Sequence, residues 1–275
     1  MSEIFRDGIG LGDRLIHNPN HQHKCTHGEL FEKLVDPITG KAFLKRIESN
    51  TVVLGGAITV LEKLVDQQSA FKPTSLNDIL GINVPGGTPG AETLCLFGGG
   101  TGGAALDFGN VVEPSIKQNN VIDLIPIRYG PNVTGDDYDK YYMKKNNADL
   151  LTNSWFLKEF DTPPVIKAFW KNAIDTMQDG TEIVEDIANS PRTEGLEAFA
   201  QIEFSLNPYD FHEYYEATGN LQMARYNSFG FYTGEKIPGA DEYTNVRLYA
   251  VVNFNNRDVS LKSRSSFIYR TYALM

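Results

Sequence analysis

Residues 245–256 read NVRLYAVVNFNN. Val246, Leu248, Ala250, Val252 and Phe254 fall on every second position. A period of two is the pattern of a strand with one face buried and the other wet. The five apolar side chains are therefore expected on one face of one strand. The same alternation recurs in EAFAQIEFSL, residues 197–206, where Ala200, Ile202, Phe204 and Leu206 alternate with Gln201, Glu203 and Ser205. ARYNSFGFYTG (224–234) and SSFIYRTYALM (265–275) are similar and rich in aromatics. Between them YDFHEYYEATG (209–219) predicts a helix. The last third of the chain thus reads as an antiparallel sheet or sandwich.

Upstream the period changes. Ile58, Leu61 and Leu64 have helical spacing, which predicts a helix from about Ala57 to Gln68. Val165, Phe169 and Ala173, with Ile166 and Trp170, predict a second helix entered through Pro163 and Pro164. TEIVEDIANS (181–190) reads as another short helix, and DYDKYYMKKNNADLL (137–151) as helical in its first half. Glu92–Phe97, NNVIDLIPIRYG (119–130) and SWFLKEF (154–160) are strand candidates. Residues 1–50 look irregular, an extended arm with a short helix near Glu29–Val35. The expected fold class is α+β: a mixed core, a C-terminal antiparallel β-sheet or sandwich and an extended N-terminal arm. The arm covers 1–50 and the α+β domain 51–275, with a sub-boundary near 135.

The chain has 275 residues, 41% of them hydrophobic, enough for a sizeable core. Its net charge of -10 opposes broad binding to nucleic acid or anionic membranes, which needs a surplus of lysine and arginine. Two cysteines, Cys25 and Cys95, do not make a disulfide framework and fit a reducing compartment. The N-terminal stretch lacks a secretory pattern, and no apolar run approaches the roughly 18 residues of a membrane span. A soluble protein made in a cytosol is expected.

Four stretches invite a chemical reading. HQHKCTH, residues 21–27, sets His21, His23, Cys25 and His27 on alternate positions. On a strand all four face one side but spread over about 20 Å. One tetrahedral ion takes ligands at about 2.0–2.3 Å. A straight strand can therefore give two of them, such as His21 and His23, with the rest after a turn or from another subunit. The alternative is a plain polar arm, so a structural zinc stays open and no other cofactor is expected. Gly98, Gly100 and Gly103 make a literal G-x-G-x-x-G after a strand, with Asp123 further on. Gly109, Asn110 and Pro114 interrupt the helix that a dinucleotide site requires, so a tightly turning loop is the better reading. DTMQDGTEIVED (175–186) mimics a calcium loop, but Met177 and Asp186 stand where ligands should be, and a turn between helices is expected. His212 is the one histidine outside the arm, and no G-x-S-x-G is present. No catalytic constellation emerges, and the chain is read as not an enzyme.

The stretches TSLNDILGI (74–82), NNVIDLIPIRYG, DDYDKYYMKKN (136–146), WFLKEFDTPPVIKAFW (155–170) and RSSFIYRTYALM (264–275) share a style. With the arm and the glycine-rich loops, the chain resembles structural virion proteins of tailed bacteriophages. The resemblance implies a non-enzymatic subunit of a symmetric assembly, foremost a neck or head–tail connector ring joining capsid and tail. Tail-terminator, baseplate and capsid-decoration roles are its rivals, and a ligand- or metal-binding module is the alternative of another class. It further implies a homo-oligomeric ring, contacts with other virion proteins (portal, connector, tail), no specific nucleic-acid or membrane binding, and assembly into the virion in the bacterial host cytoplasm. Tyr226, Phe229, Phe231, Tyr232, Tyr269, Arg270 and Tyr272 would serve either as interface anchors or as core.

Overall fold

In the computed structural model the stretch that opened the sequence reading lies within one long strand, but its apolar residues do not share a face. The structure describes residues 27–40, 42–52, 92–104, 110–115, 123–127, 141–145, 154–170, 196–239, 243–259 and 263–272, with single positions or pairs at 56, 59–60, 117 and 121. The described part is mostly antiparallel β with one short helix. In chain order the strands are β1 (His27–Val35), β2 (Ala42–Val52), β3 (Thr93–Gly100), β4 (Leu124–Ile125), β5 (Tyr141–Lys145) and β6 (Ser154–Glu159). They continue as β7 (Val165–Trp170), β8 (Leu196–Leu206), β9 (Arg225–Lys236), β10 (Tyr243–Asp258) and β11 (Ser265–Tyr272). The helix α1 (His212–Ala217) joins β8 to β9.

Neighbouring strands run β5-β6-β3-β9-β10-β2-β1-β11-β8-β7, with β4 beside β3. They form two sheets, including a half-barrel. The sheets meet at β2. Its residues from Ala42 to Asn50 pair with β1, whereas Thr51 and Val52 pair with Val251 and Ala250 of β10.

The path closes over an aromatic core. Ile202, Phe204 and Leu206 of β8 and Phe267 and Tyr269 of β11 come from one sheet. Phe97 of β3, Phe229 and Phe231 of β9 and Val252 and Phe254 of β10 come from the other. Phe204 has rings at 4.5 Å (Phe97), 5.3 Å (Phe229), 5.6 Å (Phe231) and 5.3 Å (Phe267). Phe231 stacks on Tyr269 at 3.8 Å and 9°. Such pairs add about 0.5–1.5 kcal/mol each beyond the area they bury.

β9 is buried on both faces, because a second cluster covers the other side of its sheet. Leu96, Leu157, Tyr232, Val246, Leu248, Val251 and Val121 form it. This explains the split of residues 245–256. Leu248 pairs with Tyr232 and Ala250 with Phe231, so Tyr249 is an extra residue against one step of β9. A bulge of one residue turns the following side chains to the opposite face. Val246 and Leu248 therefore join the second cluster, and Ala250, Val252 and Phe254 the first.

Several expectations are corrected. The mixed α+β core gives way to a mostly antiparallel β fold with one short helix. The helix near Glu29–Val35, and with it the irregular arm from His27 onward, is instead a β-hairpin of β1 and β2 seated between β11 and β10. Leu30, Phe31, Leu34 and Val35 have helical spacing, but pairing partners far along the chain decide the outcome. Where the helical half of DYDKYYMKKNNADLL is described, at Tyr141–Lys145, it is β5, paired with β6. Val165–Trp170 is β7, paired with β8, not a helix. Its six residues fit either period, and the β-branched and aromatic side chains suit a pleated surface. Residues 59 and 60 are helical as expected; most of the helix at 57–68, the segment 171–190 and the sub-boundary near 135 lie outside the described residues. The C-terminal strands and α1 agree with the alternation read from the sequence.

Candidate functional site

Of the histidine-rich stretch, His21, His23 and Cys25 lie outside the described residues, and His27 enters β1 with its backbone paired to Tyr272. Among the described residues no group of three or more His, Cys, Asp or Glu could hold a metal.

The glycine tract has a structural use. Gly98, Gly99 and Gly100 sit inside β3, paired with Gly230, Phe229 and Ser228 of β9. A methyl group on Gly98 would meet Leu157 at 2.8 Å and Leu124 at 2.9 Å, and one on Gly99 would enter the Phe211 ring. Glycine lets side chains ride directly over both faces of the strand. Gly103 then donates its N–H to Asn227 Oδ1 at 2.6 Å, and Thr101 donates to the Asp123 carbonyl at 3.2 Å. These amides are engaged within the fold, which is not how a phosphate cradle presents them.

Side chains able to do chemistry are tied up in a similar way. Cys95 points at the carbonyls of Tyr232 and Gly234, and burial, reinforced by Glu159 and Glu92, pushes its thiol far above the ordinary range. That disfavours the thiolate a nucleophile needs. His212 Nδ1 lies 3.8 Å from Glu216 on the same helix. Lys158 of β6 donates to Asp210 at 2.8 Å and to the Ser205 carbonyl at 3.1 Å, both side chains almost fully buried. Asp210 also accepts the Asn207 N–H at 2.8 Å. This pair ties the two sheets together. A small cavity beside it, lined by Leu206, Asn207, Asp210, Phe211 and Tyr226, has room for about one water molecule. The calcium-like loop lies outside the described residues.

The aromatic residues offered as anchors are core. Phe229, Phe231, Tyr232 and Tyr269 have no exposure, and Tyr226 has 4%. Arg270 is 2% exposed, held between Phe31 at 5.1 Å and Phe199 at 4.7 Å, and donates to Gln201 at 3.1 Å. The side chain of Tyr272 is outside the described set.

The exposed apolar surface lies elsewhere. β1 pairs with β11 only as far as Lys33, opposite Ser266. Beyond it Leu34 faces Phe43 and Val35 faces Ala42, so the two strands run on as a ribbon. Its end exposes Val35 (59%), Ile38 (92%) and Phe43 (42%). The turn is fixed by Asp36, which accepts the Ile38 N–H at 2.9 Å and the Thr39 hydroxyl at 2.6 Å, while Gly40, at φ 68, donates back to the Asp36 carbonyl at 2.8 Å. The Thr39 hydroxyl and then the Ile38 amide hold the Asp36 carboxyl below its usual range. The ribbon is braced at its base by Glu29–Arg46 (3.1 Å), Glu32–Arg257 (3.1 Å) and Lys33–Glu203 (3.6 Å). The signal that could have found the tip is DPITG (36–40) between two runs holding apolar residues, a hairpin pattern that the reading of 1–50 as an irregular arm passed over.

Comparison of the chain with known protein families, with characterised proteins and with solved structures finds no match.

Proposed function

We propose that the chain is a structural subunit of a tailed-phage virion, a neck or head–tail connector component that packs into a ring and works by assembly rather than turnover. The observation that carries this reading is the braced ribbon with Ile38 at 92% exposure. A single copy gains nothing by presenting Val35, Ile38 and Phe43 to water on a turn held by three hydrogen bonds. Apolar groups presented on a pre-ordered element are what a subunit interface needs, because little ordering cost remains at docking. Ring subunits meet head to tail, so a projecting part on one copy must find a seat on the next. The negative charge of -10 suits a conduit for DNA, since such a wall does not grip passing phosphates.

Native mass spectrometry and negative-stain electron microscopy of the purified full chain test the reading. A closed multimer with a ring outline is expected. A monomer at every concentration refutes the self-assembling ring. The same spectrum registers any zinc held by His21, His23, Cys25 and His27.

A further inference from the structure

The hairpin tip needs a seat; exposed large apolar side chains also occur at Val60, Val111, Val112 and Val165, but one region of the described chain outside the hairpin carries three of them. It is the β8–β9 connection, residues 207–224, which contains α1. It exposes the large apolar side chains Tyr209 (60%), Leu221 (39%) and Met223 (70%). Its charged residues are Asp210, Glu213 and Glu216, with no lysine or arginine. Asp210 is spent on Lys158, but Glu216 is exposed. The hairpin from 33 to 46 carries the opposite balance: Lys33, Lys41, Lys45 and Arg46 against the single acid Asp36. Lys33 and Arg46 brace the base, and Lys45 is exposed. On a chain whose net charge is -10, this basic element would find most of another copy's surface attractive.

We infer that the β1–β2 tip of one copy docks on the β8–β9 connection of a second copy, Ile38 and its neighbours against Tyr209, Leu221 and Met223, with Lys45 facing the acidic side of α1. This rests on the assembly reading and names its interface. The contact is heterologous: the docking element and its seat are different surfaces of the same chain, so each copy offers one of each and the chain of contacts continues until it closes. Tip and seat are both on the outside of one subunit, so each can be altered without touching the core.

The test uses two full-length variants, Ile38→Asp and Met223→Asp, and their mixture. Both positions are largely exposed, and unchanged thermal melts would establish that each variant folds. The wild type is expected to form a closed multimer in native mass spectra, and each variant alone a monomer. The equimolar mixture is the decisive sample. Met223→Asp retains an intact tip and Ile38→Asp an intact seat, so one good contact forms between them and the remaining tip and seat are both spoiled. The mixture should give heterodimers and nothing larger. A multimer that survives either substitution, or a mixture that stays monomeric or grows beyond two, overturns this interface while leaving the assembly reading standing. A wild type that stays monomeric overturns the inference and the self-assembling ring together, and points to another virion protein as the occupant of the tip.

Discussion

Replacing Lys158 with methionine keeps most of the buried stem and removes the ammonium. The Asp210 carboxyl, with none of its side chain exposed, then loses the charged donor that stood 2.8 Å away. Breaking a buried pair from one side costs about 3–5 kcal/mol, because the surviving charge is left uncompensated. Asp210→Asn leaves the mirror-image problem: a buried ammonium that keeps the Ser205 carbonyl at 3.1 Å and gains an amide oxygen but has lost the opposite charge. The double variant Lys158→Met/Asp210→Asn carries no buried charge and preserves an acceptor for the Asn207 N–H. It should therefore be destabilised by less than the sum of the single changes, by about 2–3 kcal/mol. Urea unfolding followed by tryptophan fluorescence on all four proteins closes the cycle. Single-variant losses that add to within about 0.5 kcal/mol, or a Lys158→Met loss below about 1 kcal/mol, would refute the view that this pair is an interdependent tie between the sheets.

Gly99→Ala drives a methyl group into the Phe211 ring and should cost about 1–3 kcal/mol, read as a lower melting midpoint; a neutral substitution would mean β3 is not closely overlain there. Cys95 should resist iodoacetamide in the native state at neutral pH and react once urea unfolds the chain; labelling at equal rates in both states contradicts its burial and raised thiol pKa. The Asp36 carboxyl is depressed in the folded tip, so its contribution is present above the unfolded value near 3.8 and is lost only as pH falls through the lower, folded value. The Ile38 amide shift in NMR should therefore titrate with a midpoint below 3.8, and a midpoint at or above it would show that the carboxylate does not hold the turn.

The legible parts of the fold were strands with one face against the core and the other at least partly wet. Ile202, Phe204 and Leu206 alternate cleanly because β8 has no register shift against β11. The reading of 245–256 identified the strand and missed the bulge, since an extra residue at Tyr249 leaves no local mark when both faces are buried. Leu30 to Val35 and Val165 to Trp170 failed for another reason. Six or seven apolar-rich residues satisfy both periods, and the choice is made by β11 and β8, which lie far along the chain. Gly98 to Gly100 read as a tightly turning loop rather than as part of β3, because composition records small residues without recording what passes over them. The candidate surface was the reverse case. Asp36, Pro37 and Gly40 are turn residues in plain view, but Ile38 becomes notable only once the strands beside it are seen to stop short.

The pairing of β1 with β11 has a consequence for how the chain reaches this state. His27 lies opposite Tyr272, so the first described strand waits for the last before one of its edges is satisfied. β2 likewise waits for β10. A nascent chain therefore holds the β1–β2 hairpin, with its apolar end, unseated until β10 and β11 have been made, and contacts this distant in sequence close slowly. During that interval the same hairpin could pair with the wrong neighbour. Variants that slow completion of β11 should thus raise aggregation during expression more than their effect on the finished protein's stability would suggest.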